Sequence, residues 1–395
     1  MLEQQIRLDA VLSNGKLIVR KLTSNRANGI IDAVVQRPVA DVPRVLSQLF
    51  PLCGMAHAAA GLEAIEAALQ IAVSPLQRKF RELMLLAERG AALSWRIMMD
   101  WLPLLGGPPN TRGCADIRRA VIAVSAAAKC DRWARLGGVR LELNRGDLAR
   151  AASELAHMLL GLFPEAADPA LTWPKLKRAL QSGASAPARL INTARVGTLA
   201  DYGHHDRPLL PSVGAEWFSM HLESNSAFGR APTFDGMPAE VGPLAAQRHP
   251  LIADAAADWG PTLATRLLAA ALDAPATARR LASAIEGVGN DDPAEFDLTR
   301  AGRGAGLVET ARGPLAYSVD TAGGRALRLR SVAPTEWNFH PDGPFVAALR
   351  CAPKTSDPIF AARLLAASFD PCVPVRIELT DGDRTPMHAE VAHHA

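Results

Sequence analysis

Long apolar runs are missing from this sequence: no window approaches the roughly eighteen apolar residues of a transmembrane helix, so no membrane insertion is expected. The opening stretch "MLEQQIRLDAVLSNGK" lacks the basic start and apolar core of a signal peptide. Charge of one sign is missing too. The formal net charge is only +3 and no run of Lys or Arg forms a basic surface, which argues against a nucleic-acid partner. Cysteine is scarce: Cys53, Cys114, Cys130, Cys351 and Cys372 are odd in number and widely scattered. That pattern fits a reduced, cytoplasmic protein better than a disulfide framework. Tyrosine is scarce as well, at two residues in a chain rich in Ala and Arg, a coding bias that carries no functional message.

What is present is enough apolar material for a large core, 49% of 395 residues. No internal repeat or clean linker divides the chain, so residues 1–395 read as one integrated domain. Its expected parts are an N-terminal hairpin with a first cysteine motif (1–75), a helical core (76–290) and a C-terminal hairpin with a second cysteine motif (291–395). The fold class expected is mainly α with small β-sheets or hairpins, an α+β body.

The element signals are local. Ile6, Leu8, Ala10 and Leu12 alternate, Asn14-Gly15 supplies a tight turn, and "KLIVRKL" returns as the second strand. A short helix is expected over 42–50. Another follows Cys53, with Leu62, Ile65, Leu69 and Ala72 on one stripe and Pro75 as its stop. Further helical segments are expected at 78–101, 115–130, 147–162, 174–181 and 248–288. Residues 196–247, rich in Gly, Pro, His and Asp, read as mostly irregular, an unusual length unless it serves a surface or a function. Leu315, Tyr317 and Val319, the Gly323-Gly324 turn, then Leu327 and Leu329 mark a second hairpin.

Two lone cysteines raise the chemical question. Cys53 precedes the first turn of a helix, where unpaired amides and the positive end of the dipole favour a thiolate. Cys372 follows Asp370-Pro371, so the backbone direction is fixed just before the thiol. Taken singly, either reads first as a small buried apolar residue, and only tertiary folding would bring them together.

The wider pattern speaks for more. "IRLDAVLSNGKLIVRKL", "VPRVLSQLFPLCG", "AHAAAGLEAIEAAL" and "LMLLAERGAALSWRIMMDWLP" resemble the N-terminal third of nickel–iron hydrogenase large subunits. "PTFDGMPAEVGPLA" (232–245) is similar to their Y-x-G-x-x-x-E-V-G-P-L-A segment. "GAGLVETARGPLAY" and "GGRALRLRSVAPTEWN" (304–338) are similar to their E-A-P-R-G-x-L hairpin leading to P-T-T-W-N, and "SFDPC" opens their closing metal motif. The pieces keep their order over most of the chain. The resemblance implies a large-subunit-like helical core.

The departures carry as much information. The family closes its site with two Cys-x-x-Cys pairs, the second followed by histidine. Here Cys53 is followed by Ala56, Cys372 by Val375, and the histidine position is Glu378. The retained thiols match those that hold nickel alone in the family, and the missing ones match those that bridge nickel and iron. No nickel is expected on two thiolates, and no maturation cleavage is expected without the histidine. The resemblance is therefore to the HupK/HoxV family of hydrogenase maturation proteins. It implies a non-enzymatic scaffold that transiently holds an Fe(CN)2(CO) fragment.

In that picture Cys53 and Cys372 ligate the iron, a soft-ligand set suited to low-spin iron. Arg312 and Thr335, which match the family's cyanide-cradling arginine and hydroxyl, shape the ligand pocket, with Ala311 where the family has proline. His57 either hydrogen-bonds near the iron or is a helix-start histidine without a direct role. The implied partners are iron-fragment-donating maturation proteins and the nickel–iron hydrogenase large-subunit precursor. Two alternatives remain: a cofactor-free assembly chaperone of the large subunit, and a degenerate catalytic hydrogenase subunit.

Other groups read as structural. Glu3 falls where the family has a proton-relay glutamate but reads as a solvated terminal residue. His204, His205 and Asp206 in "YGHHDRP" read as a polar loop, since adjacent histidines point apart. His393 and His394 read as disordered terminal residues. Cys114, Cys130 and Cys351 read as packing residues, and Met84, Trp95, Met98, Met99 and Trp101 as core.

Overall fold

The computed structural model describes residues 4–26, 28–50, 52–128, 133–379 and 387–391. Glu3, Cys130, His393 and His394 lie outside them. The chain opens with the expected hairpin, strands β1 (Ile6–Ser13) and β2 (Lys16–Ser24), turning on Asn14 and Gly15, both at positive φ. Helices α1 (Val42–Leu49), α2 (Gly54–Leu69) and α3 (Pro75–Trp95) follow. Helix α2 ends on Gln70 in the left-handed conformation, which leaves Ala72 outside it and exposed. Pro75 does not simply stop a helix; it opens α3 at the first helical position, where its missing N–H is harmless.

Beyond α3, Arg96–Trp101 continues as a π-helical turn. Helices Thr111–Ala127, Arg145–Leu162 and Trp173–Gln181 lie close to their expected places. Helix Ala186–Ala194 has no counterpart among the sequence expectations, and helix Ala215–Ser224 interrupts the stretch expected to be irregular. The apolar run at 248–288 divides into Pro250–Trp259 and Leu263–Glu286, because Gly260 sits at φ 71 and Pro261 cannot continue the helix. Leu263–Glu286 is buried over most of its length, and its first half, up to Ala274, is mostly Leu and Ala and buried on every side. Its one acidic residue in mid-core, Asp273, pairs with Arg89 of α3 at 2.7 Å.

Two small sheets frame the helices. One has the order β3 (Gly302–Thr310), β4 (Gly313–Ala322), β5 (Arg325–Val332), all antiparallel, so the second expected hairpin gains a third strand. On β5, Leu329 faces the core while Leu327 is exposed. The other has the order β2-β1-β6-β7, with β6 (Val375–Leu379) running parallel to β1 and β7 (Met387–Val391) antiparallel to β6. Ile6 pairs with Val375 in this register. The pairing carries Cys372 to the N-terminal hairpin, across almost the full length of the chain.

Strand β3 lies against α2 at a distance that only glycine permits. A Cβ on Gly304 would stand 2.1 Å from the Ala64 carbonyl oxygen, and one on Gly306 2.0 Å from that of Ala60. The alternate glycines of "GRGAG" therefore face a helix rich in alanine, and α2 is the element that starts at Cys53. Gly306→Ala is expected to lower stability by about 1–3 kcal/mol through overpacking, read as a drop in melting temperature. An unchanged melt would mean that α2 and β3 separate freely.

Candidate metal centre

Cys53 is the N-cap residue of α2, as its position before a helix suggested, and its thiol is partly buried. The helix start does not favour its thiolate. The carboxylate of Glu88, on α3, accepts from the amides of Met55 at 2.7 Å and Ala56 at 2.9 Å, so the positive helix end already has its anion. Burial, the neighbouring Cys372 and Glu88 push the Cys53 thiol far up, against the opposing pull of Arg312 and Arg26. This corrects the expectation of an activated thiolate: the thiol stays protonated until a cation replaces its proton. Glu88 itself is pushed up to about 7 by burial, partly offset by the two amides and by Arg312.

The same interaction places Cys372 within electrostatic reach of Cys53. Cys372 is partly buried and Thr335 holds it from two directions. Its amide donates to Thr335 Oγ1 at 3.4 Å, and its Sγ lies 3.3 Å from the same hydroxyl. Thr335 belongs to a single helical turn, Pro334–Asn338, that follows β5 directly. Arg312 sits in the β3–β4 turn and reaches the same corner through Nε, which donates to the Asp370 carbonyl at 3.1 Å and lies 3.1 Å from Asp370 Oδ2. Arg96, in the π-helical turn, pairs with the same carboxylate and donates to the Ala311 carbonyl at 3.3 Å. The carbonyl of Ala311 thus helps seat the turn that carries Arg312.

The E-V-G segment braces that turn from behind. Gly242 and Gly313, at φ 113 and 129, meet so closely that a Cβ on Gly242 would stand 3.0 Å from the Arg312 carbonyl oxygen. Two motifs separated by some seventy residues in sequence are therefore one structural unit around Arg312.

His57 is placed next to the first thiol by helix geometry, its amide donating to the Cys53 carbonyl at 3.0 Å. Its ring stacks on Phe50 at 3.6 Å between centroids, and its Nδ1 lies 2.6 Å from the Tyr317 hydroxyl. Burial and the nearby Arg26 lower it to about 3, so the imidazole is neutral and contributes hydrogen bonding and bulk, not charge.

The remaining candidates separate. His205 is buried against Glu240 at 2.7 Å, and Arg266 lies 2.8 Å from both, whereas His204 is exposed. Burial opposes charge on Glu240, but Arg266 and His205 outweigh it and hold the carboxyl at about 2. "YGHHDRP" is thus a loop anchored to the E-V-G segment. Cys114 is partly buried, but Cys351 is exposed, so the packing role expected for Cys351 does not hold. Met84 and Trp101 are fully buried and Met99 nearly so, as core residues should be. Among the described residues no group of three or more His, Cys, Asp or Glu side chains converges on one point, and no helix is long and apolar enough to cross a membrane.

No family model matches the sequence. The hydrogenase expression/formation protein HoxV of Cupriavidus necator is 30% identical over 379 residues, covering 89% of this chain and 91% of that protein. The chain belongs to the HupK/HoxV family. The HupK protein of Rhizobium leguminosarum bv. viciae is 29% identical over 385 residues, 95% of this chain and 96% of its own length. Among solved structures, the reduced nickel–iron–selenium hydrogenase of D. vulgaris Hildenborough superposes with a TM-score of 0.68 at 15% identity, covering 92% of this chain and 95% of that one. The enzyme from Desulfomicrobium baculatum does so at 0.66, again at 15% identity. At that identity the likeness concerns the fold: this HupK/HoxV chain has the architecture of a hydrogenase large subunit.

Several residues around the two cysteines of this HupK/HoxV chain escape sequence reasoning. Arg26, just after β2, pairs with Glu336 at 3.2 Å and acts electrostatically on both cysteines. Asp370, Arg96, Glu88 and Tyr317 complete the surroundings. Asp370 and Glu336 lie inside the quoted segments "SFDPC" and "PTEWN", and the departure of Glu336 from the family's threonine was a usable signal. Arg26 and Glu88 carry none, because their roles arise from contacts across the fold.

Proposed function

We propose that this protein is a non-enzymatic scaffold in hydrogenase assembly. It receives an Fe(CN)2(CO) fragment from an iron-fragment-donating maturation protein, holds it on Cys53 and Cys372, and passes it to the nickel–iron hydrogenase large-subunit precursor. Membership in a family of hydrogenase expression/formation proteins supports the maturation role. The observation that carries the finer reading is the corner in which Thr335 holds Cys372 and Arg312 donates to the Asp370 carbonyl just before it, while Arg312 also acts on Cys53, with Ala56 and Val375 where the bridging thiols would stand.

The chemistry follows from these side chains. Both contacts of Arg312 to Asp370 run through Nε, and among the described residues its terminal amino groups make no hydrogen bond. They are donors for a cyanide nitrogen, an interaction of about 1.5–3 kcal/mol when desolvated and charge-assisted. Thr335 keeps Cys372 in place through the hydroxyl–sulfur contact. Loading breaks the fragment's bonds to the donor protein's ligands, forms two Fe–S bonds to Cys53 and Cys372, and passes the two thiol protons to the groups the fragment leaves. Delivery breaks those bonds, forms new ones to the acceptor's thiolates and returns two protons, with the iron's oxidation state unchanged. An acceptor with four thiolates outcompetes a donor with two, which gives the transfer its direction.

Infrared spectroscopy tests this. Protein purified without oxygen from cells that contain the maturation machinery should show cyanide and carbonyl stretching bands, with iron but no nickel on metal analysis. A spectrum without those bands would remove the carrier reading and leave the cofactor-free chaperone. Stoichiometric nickel with hydrogen-dependent dye reduction would instead favour the degenerate hydrogenase, which Ala56 and Val375 oppose.

A further inference from the structure

We propose that Arg26 is a second recognition residue for the bound iron fragment, donating to one of its cyanides, and that Glu336 positions it. The inference rests on the carrier reading and adds a residue that the family resemblance does not supply. An iron(II) with two cyanides and one carbon monoxide has no net charge, so two thiolate ligands make the bound complex a dianion. A buried dianion requires fixed donors and cations around it.

Arg312 is one such cation. Arg26 is a second guanidinium that acts on both cysteines. Its side chain and that of Glu336 are each only 10% exposed, and the two lie 3.2 Å apart through Nη1 and Oε1. That geometry is an ion pair without a hydrogen bond: Nη1 of Arg26 and Oε2 of Glu336 are both buried and make none. A guanidinium with an unused donor in a buried corner is costly unless something else accepts from it.

The supporting frame is short and local. Thr335 and Glu336 are adjacent in the turn Pro334–Asn338, so one helical turn fixes the Cys372 sulfur and the Arg26 cation together. In the large-subunit pattern the second of these positions is threonine. Glu336 is thus a departure of this chain, at a site where the two bridging thiolates and the nickel are not expected.

Arg26→Gln and Arg26→Lys, each purified without oxygen from cells with the maturation machinery, test the assignment by infrared spectroscopy beside the unaltered protein. Loss of one charge-assisted hydrogen bond is expected to reduce loading roughly tenfold or more when the fragment is limiting. Whatever fragment remains should show displaced cyanide bands, with the carbonyl band moved less. Arg26→Lys keeps the charge but not the planar fork, so it should load better than Arg26→Gln and still show displaced cyanide bands. Bands of unaltered position and intensity in both variants would overturn the role of Arg26 and leave the carrier reading standing. Absence of bands from the unaltered protein would overturn both. Where Arg26→Gln melts early and carries no bands, Arg26→Lys decides: displaced cyanide bands support the assignment, and coincident ones refute it.

Discussion

Cys53→Ser and Cys372→Ser are each expected to erase the cyanide and carbonyl bands and to stop maturation of the hydrogenase served. Serine keeps the size and hydrogen-bonding capacity of the side chain but offers a hard, protonated oxygen in place of a soft thiolate, a poor donor to low-spin iron. One remaining thiolate cannot hold a fragment against an acceptor offering several. The fold should tolerate both changes. Each thiol is only partly buried, Cys53 makes no capping bond through its side chain, and a serine at 372 can keep the contact with Thr335. Melting temperatures within a few degrees of the unaltered protein are the necessary control, and Cys114→Ser and Cys351→Ser should load normally. Full maturation with both site cysteines replaced would point to a chaperone that never touches the iron.

The two cysteines stood out because of the motifs around them, and the fold brings these two segments from opposite ends of the sequence into one neighbourhood. The local electrostatics were legible only by half. Unpaired amides do stand at the start of α2, but Glu88 arrives from α3 to take them, and the sign of the effect on Cys53 reverses. Nothing near Cys53 in sequence announces that partner. The sheets show the same division. Asn14-Gly15 and Gly323-Gly324 mark hairpins because a tight turn needs positive φ at those residues. The parallel pairing of β1 with β6 has no turn to mark it, since its strands lie at opposite ends of the chain. Only the resemblance to the E-A-P-R-G-x-L hairpin pointed to strand β3, since its glycines weaken a strand by propensity yet are what lets α2 come within contact. In each case the illegible part is a contact between distant segments, and those contacts also supply the arginines and carboxylates of the site.

Restoring the lost companions gives the converse test. The double variant Ala56→Cys/Val375→Cys is expected to retain the fragment in the presence of large-subunit precursor, so that its infrared bands persist while those of the unaltered protein decline. Maturation should fall severalfold or more even though loading is normal or increased. Both positions are built for such a change. Ala56 lies in the first turn of α2, and Val375 opens β6 opposite Ile6, so each is held on a regular element close after its cysteine. Both are buried, at 3% and 0% exposure, and Val375→Cys removes little volume, a loss on the order of 1 kcal/mol. The variant should therefore fold and isolate the effect of ligand number. With four thiolates on each side, donor and acceptor compete on equal terms and the exchange loses its direction. Transfer at the unaltered rate would show that something other than ligand count drives release, and the absence of the bridging thiols would then need a different physical cause.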